Sequence, residues 1–80
     1  MSETIISTVI RAIAKQKHLE PSAIKNTSSL EELGITSLDA ITIVFDIEEE
    51  FGIEVPGEEL EGLQTVQDIV ESVSGLLSTS

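Results

Sequence analysis

Apolar residues along this 80-residue chain recur every three or four positions, which is the spacing of amphipathic helices. The first stripe consists of Ile6, Val9, Ile10 and Ile13. Lys17 follows it with the positive charge that a helix C-terminus favours. We therefore predict a first helix that packs one face on a core and ends near Lys17.

A connection over residues 18–35 follows the first helix and is longer than most connections in compact domains. Pro21 cannot continue a helix interior, but it can begin a short turn, which we expect to reach Ile24. Apolar residues spaced through the connection indicate that it packs on the core: Leu19, Ile24, Leu30, Leu33 and Ile35.

The second helix is predicted to run from Ser37 to Phe51 and to end at Gly52, a residue suited to a left-handed cap. Ile43 is expected to pack on a neighbouring helix, whereas Phe45 is expected to be partly exposed as a contact for a partner. The remaining large apolar residues are expected to share one face: Leu38, Ile41, Val44, Ile47 and Phe51.

The start of the second helix has the sequence of a capping box, in which Thr36 and Asp39 satisfy each other's backbone N–H groups. Ser37 is then the first helical residue, and its hydroxyl lies beside unpaired backbone N–H groups and the positive end of the helix dipole. A phosphate ester would be electrostatically favoured there. A serine at a helix start more often only helps to begin the helix, so this position alone decides nothing.

The second half of the chain is predicted to hold two further helices. Residues 53–55 form an extended linker, a short helix runs from Gly57 to Glu61, and Thr65 with Asp68 repeats the capping box. The last helix presents one apolar face, formed by Val66, Ile69, Val70, Val73 and Leu77. Residues 78–80 are expected to fray. The predicted fold is all-α, a single domain over residues 1–80. It is a four-helix bundle with three longer helices, a short third helix and a long loop between the first two.

The charge of the chain is acidic and unevenly distributed. The formal net charge is −11, and all four basic residues lie in the first 25 positions, whereas the last 55 positions hold 13 acids and no Lys or Arg. Such a surface repels nucleic acid and anionic membranes and attracts basic protein surfaces. No apolar run approaches the roughly 20 residues that span a bilayer, and the N-terminus lacks a signal pattern. We expect a cytoplasmic monomer that is not inserted in membranes.

The residues offer little for catalysis. The chain has no Cys, and its single histidine, His18, is expected at the end of the first helix with nothing that places it near Ser37. No glycine-rich phosphate loop or calcium loop is present, so no metal site is predicted. The sequence therefore indicates a protein without catalytic activity.

A resemblance covers nearly the whole chain and rests on three segments: 33–41 (LGITSLDAI), 47–56 (IEEEFGIEVP) and 63–70 (LQTVQDIV). In order and spacing they resemble the acyl carrier proteins, whose Asp-Ser-Leu motif receives 4′-phosphopantetheine from coenzyme A on its serine. The resemblance implies that Ser37 is the attachment residue, with Leu38 and Asp39 as the leucine and the acid that follow it. It also implies that the attached arm supplies the thiol that this Cys-free chain lacks.

The resemblance implies a carrier of acyl thioesters in fatty-acid synthesis or in a specialised lipid or polyketide pathway. Its partners would be a phosphopantetheinyl transferase and acyl-transferring or acyl-modifying enzymes with basic surfaces. The residues expected to dock these partners are Thr36, Leu38, Asp39, Phe45, Asp46, Glu48 and Glu49. The residues expected to shelter an acyl chain are Ile41, Val44, Ile47, Leu60, Leu63, Ile69 and Val70.

Two positions depart from the family pattern. Thr36 stands where members usually have an aspartate that helps to bind the transferase, and Thr42 stands where many fatty-acid carriers have an acid. Both departures favour a specialised carrier with dedicated partners, such as one from a polyketide, modified-lipid or aminoacyl pathway. The alternative is an acidic helical interaction module that binds a basic partner and is never modified.

Overall fold

The computed structural model describes residues 2–79, and four α-helices follow one another along them. Helix α1 spans Ser2–Lys17, α2 spans Ser37–Phe51, α3 spans Gly57–Glu61 and α4 spans Val66–Thr79. A 3₁₀ turn at Pro21–Ala23 lies in the long connection between α1 and α2. The described residues form no strand beyond an isolated bridge between Ser29 and Thr65. The predicted all-α architecture, with a short third helix, is confirmed. None of the helices within residues 2–79 combines the length and apolarity that crossing a membrane requires.

The core forms where α1 packs against both α2 and α4. Its innermost side chains come from all three longer helices: Val9, Ile13, Ile43, Ile47, Val66, Ile69 and Val73. The predicted stripes of α1 and α4 both face this core, with Ile6, Ile10 and Leu77 packed at its edge. In contrast, α3 buries no residue. The core therefore rests on three helices, and the fourth lies at its edge.

The packing face of α2 differs from the predicted one. Leu38 and Ile41 are 77% and 53% exposed, whereas Ile43 is fully buried, as expected for a residue that packs on a neighbouring helix. Each residue turns a helix by about 100°, so the three steps of three residues from Leu38 to Ile47 turn the side-chain direction through about half a turn. The predicted stripe winds around α2 instead of staying on one side. The prediction of one shared face is therefore wrong, and α2 packs through Ile43, Val44 and Ile47.

The long connection is held on the core at its apolar residues, as predicted. Ile24 and Leu30 are buried, and three further residues pack against the core: Leu19, Leu33 and Ile35. The connection also hydrogen-bonds to the start of α4, where Val66 N donates to Ser28 O over 3.1 Å and Gln67 N donates to Asn26 O over 2.9 Å. These bonds satisfy two of the N–H groups that a helix start leaves without an intrahelical acceptor. The connection thus serves as a cap for α4.

The C-terminal ends of the three longer helices differ in how the backbone leaves the helix. His18, directly after α1, has a left-handed φ of 56°, and Leu19 N donates to Ala14 O over 3.0 Å. Gly52, after α2, has a φ of 66°, as the sequence predicted. Helix α4 continues through residues 78 and 79, where fraying was predicted, and Ser80 lies outside the described residues.

Candidate functional site

Helix α2 begins with a reciprocal pair of hydrogen bonds, as the sequence predicted. Asp39 N donates to Thr36 Oγ1 over 3.2 Å, and Thr36 N donates to Asp39 Oδ2 over 3.2 Å. Thr36 has extended backbone angles, so Ser37 is the first residue of the helix, and it is exposed. The helix start therefore presents a hydroxyl at the positive end of the α2 dipole.

The Asp39 carboxylate also joins α2 to the end of α1. Lys17 Nζ lies 2.9 Å from Asp39 Oδ2, and Gln16 Nε2 donates to Asp39 Oδ1 over 3.3 Å. The Lys17 ammonium, together with the Thr36 N–H and the Gln16 amide, holds the pKa of the Asp39 carboxyl far below its ordinary value. Sequence reasoning missed Lys17 and Gln16, because they meet Asp39 across 22 and 23 positions of the chain.

A groove of about 1230 Å³ opens beside Ser37. Its walls are the first turns of α2, helix α3, residues 29–36 of the long connection and residues 63–64. The groove has apolar walls and an acidic rim, because Glu31 and Glu61 are its ionisable residues and both are exposed. Its apolar lining consists of Leu30, Ile35, Ala40, Ile41, Leu60 and Leu63. A chain attached to Ser37 would therefore have an apolar surface next to its point of attachment.

The seven residues predicted to shelter an acyl chain fall into two groups. Ile41, Leu60 and Leu63 line the groove together with Ser37. The other four lie in the core between the helices and do not line the groove: Val44, Ile47, Ile69 and Val70. The structure thus brings three of the seven predicted residues to Ser37 and uses the other four for packing.

The residues predicted to dock partners differ in how far they are exposed. Thr36, Leu38, Phe45 and Glu49 are exposed, and Phe45 is 60% exposed. Glu48 is half-buried, and its Oε2 accepts a hydrogen bond of 2.6 Å from Val55 N.

Two of the acids predicted to dock partners lie close to α1. Asp46 and Glu49 line an open hollow of about 430 Å³ together with Arg11 and Lys15 of α1. With Asp39 held by Lys17, the acids of α2 are partly compensated by the bases of α1. The uneven charge seen in the sequence is therefore less uneven in space on this side of the fold.

Comparisons with known proteins identify the family. The family model described as the phosphopantetheine attachment site matches residues 7–73. The acyl carrier protein of Thermosynechococcus vestitus is 37% identical over 71 residues, which are 88% of this chain and 88% of that protein. The crystal structure of an acyl carrier protein from Thermotoga maritima matches with a TM-score of 0.86, covering 98% of this chain and 92% of that one, and at 22% identity it shows the shared fold. The chain belongs to the acyl carrier protein family.

Membership of this family confirms the resemblance found in the sequence. Acyl carrier proteins are carriers and not enzymes, and their cofactor is 4′-phosphopantetheine. Their interactions are with phosphopantetheinyl transferase and with enzymes that handle acyl groups. These statements apply to the chain as a member of the family.

Proposed function

We propose that Ser37 is the residue that receives 4′-phosphopantetheine and that the chain carries acyl intermediates as thioesters on this arm. The observation that carries the proposal is the place of Ser37, which is both the exposed first residue of α2 and part of the wall of the 1230 Å³ groove. Ser29 also lines the groove, but it lies in the long connection and not at a helix start. Ser37 alone combines the two properties among the described serines.

The surroundings of Ser37 fit the cofactor. The positive end of the α2 dipole favours a phosphodiester on the first helical residue. The apolar groove beside it, with Ile35, Ile41 and Leu60 in its walls, can cover part of a long arm and its cargo. When bound, the group supplies the thiol on which thioesters form, and the chain has no Cys of its own.

We assign the shelter of the acyl chain to the groove between α2 and α3. Ile41, Leu60 and Leu63 are apolar side chains within it, and none of them is fully buried. Because α3 buries no residue, this wall can move outward at lower cost than the three packed helices. A longer cargo is then accommodated by displacement of α3 and not by a cavity already present in the core.

We further propose that the carrier serves a specialised pathway with dedicated enzymes. The support is the chemistry at two positions: Thr36 is an uncharged cap, and Thr42 Oγ1 donates to Leu38 O over 3.2 Å along the outer side of α2. Neither residue offers the negative charge that basic enzyme surfaces attract. The partners are a phosphopantetheinyl transferase and acyl-transferring or acyl-modifying enzymes.

Intact mass spectrometry tests the attachment residue. The protein is incubated with a phosphopantetheinyl transferase and coenzyme A, and wild type should gain the mass of one phosphopantetheine. Ser37→Ala should gain none, whereas Ser29→Ala, the control from the same groove, should be modified like wild type. Modification of Ser37→Ala would contradict the assignment. A wild type that folds but resists several transferases would favour the unmodified interaction module.

A further inference from the structure

We propose that Lys17 is a specificity-determining residue of this carrier. By pairing with Asp39, it leaves the face formed by the first turns of α2, where Ser37 lies, without net charge. This face then favours enzymes that dock through apolar and neutral surfaces over enzymes that use a basic residue to contact an acid next to the serine. The inference rests on the proposed function of Ser37 and adds the chemistry of the partners.

The first observation is the distribution of charge around Ser37. Residues 33–45 contain one ionisable residue, Asp39, although the chain as a whole carries a net charge of −11. The cap position next to Ser37 is Thr36, which has no charge. The charge that a partner meets on the first turns of α2 therefore depends on the state of Asp39, while Glu31 and Glu61 lie across the groove.

The second observation is that both carboxylate oxygens of Asp39 accept hydrogen bonds from other residues of the protein. Its Oδ2 accepts from Lys17 Nζ over 2.9 Å and from Thr36 N over 3.2 Å, and its Oδ1 accepts from Gln16 Nε2 over 3.3 Å. Lys17 Nζ and the Asp39 carboxylate form the one ion pair recorded within residues 2–79, and their side chains are 27% and 20% exposed. The pair is thus partly shielded from water and less screened by salt than a fully exposed pair.

The Lys17 side chain runs past the turn that precedes α2. Its Cε lies 3.9 Å from the position that a Cβ on Gly34 would occupy. The ammonium group is therefore placed beside the segment that leads directly into Thr36 and Ser37. This placement puts a compensating positive charge next to the turn that leads into α2.

The third observation is the apolar character of the same face. Leu38, Ile41 and Phe45 are 77%, 53% and 60% exposed, and their spacing of three and four residues places them on one side of α2. Three large apolar side chains exposed together on a small protein mark an interaction surface. At the Ser37 end of this ridge the Lys17–Asp39 pair balances the one acid of residues 33–45, so an apolar, neutral docking surface complements that end better than a basic one.

The test measures how salt affects the modification of Ser37. The probe is a phosphopantetheinyl transferase with a basic docking surface, and kcat/KM is measured between 50 and 300 mM NaCl. For Lys17→Met, which frees the Asp39 charge, we expect kcat/KM at low salt to rise about two- to fivefold and to fall more steeply with salt than for wild type. Thr36→Asp adds an acid next to Ser37 and should change in the same direction.

Control variants separate the ion pair from the general charge of the protein. Lys25→Met removes the same charge from the long connection, where no ion pair is recorded among the described residues, and it should behave like wild type. Lys17→Met/Asp39→Asn should return to the wild-type salt dependence because the face is neutral again. Lys17→Arg keeps the pair and should also resemble wild type.

A second measurement is independent of any enzyme. Carboxyl ¹³C NMR titration of the unmodified protein should show a higher pKa for Asp39 in Lys17→Met than in wild type or Lys25→Met. Should the pKa rise while kcat/KM and its salt dependence stay at wild-type values, Lys17 does not determine specificity. Equal pKa values in wild type and Lys17→Met would also overturn the inference. If wild type is never modified, both this inference and the proposed function fail, whereas a normally modified wild type leaves the proposed function standing.

Discussion

The two sides of α2 differ in how firmly they are held. On the side of α1, Ile43 and Ile47 are fully buried and the Lys17–Asp39 pair links the helix ends. On the other side, α3 has five residues, buries none of them and is separated from α2 by the groove. Ser37 thus lies on a firmly packed helix beside a weakly packed wall. This arrangement keeps the hydroxyl in a defined place while the space next to it can change.

The two sides of α2 also differ in how well their carboxylate groups are hydrogen-bonded. The carboxylate oxygens of Asp39 all have partners, whereas Glu59 Oε2 in α3 is buried and has no hydrogen-bond partner within the described residues. A buried oxygen without a partner loses the hydrogen bonds that water would give it. The present conformation of the Glu59 side chain therefore carries a local cost, which its movement into water would remove.

The largest expected effect comes from truncating a buried side chain on the firm side. Ile47→Ala removes a fully buried side chain and should lower the free energy of unfolding by about 2–5 kcal/mol. Leu60→Ala in α3 removes a half-buried side chain and should cost less than about 1.5 kcal/mol, because less area leaves the solvent there. Urea denaturation followed by circular dichroism measures both. Equal losses for the two variants would mean that α3 is packed as firmly as α2.

A smaller effect is expected at the end of α1. His18 has a φ of 56°, which costs about 1 kcal/mol for most L-residues and almost nothing for glycine. His18→Gly should therefore raise the free energy of unfolding by up to about 1 kcal/mol. Lys15→Gly, inside the same helix, should lower it by about 1 kcal/mol. If both variants are destabilised in the same denaturation experiment, the imidazole makes a contact that outweighs the strain.

The smallest expected effect concerns the pH dependence of the Lys17–Asp39 pair. The pKa of Asp39 is lower in the folded protein than in the unfolded chain, where it is about 4. The pair therefore contributes stability that is fully present above about pH 5 and is lost as the pH falls below about 4. The difference in stability between wild type and Asp39→Asn should be constant from pH 5 to 8 and shrink on acidification. Replacing Lys17 with Met should reduce this pH dependence, and an unchanged difference at pH 3 would contradict it.

The helices and their ends could be predicted because their signals are local. Thr36 and Asp39 are three residues apart, Gly52 follows its helix directly, and Pro21 acts on its own turn. Spacing along one helix also predicted the buried faces of α1 and α4. These features depend on the chain within a few residues, where backbone geometry relates sequence to structure without knowledge of the fold.

The composition of the site could not be predicted in the same way. The bond between Lys17 and Asp39 joins residues 22 positions apart, and no spacing rule connects them. The groove depends on how α3 and the long connection lie against α2, so only Ile41, Leu60 and Leu63 of the predicted pocket reach it. Both features follow from packing between elements.

The hydrogen bonds between the long connection and α4 have a consequence for hydrogen exchange. Val66 N–H and Gln67 N–H are bonded to the carbonyl groups of Ser28 and Asn26, which lie 38 and 41 positions away in the sequence. Neither amide can exchange until the connection separates from the helix. Amides in the first turn of a helix usually exchange fast, but these two should exchange slowly and with similar opening free energies. The irregular connection and the start of α4 would then open together, as one cooperative unit.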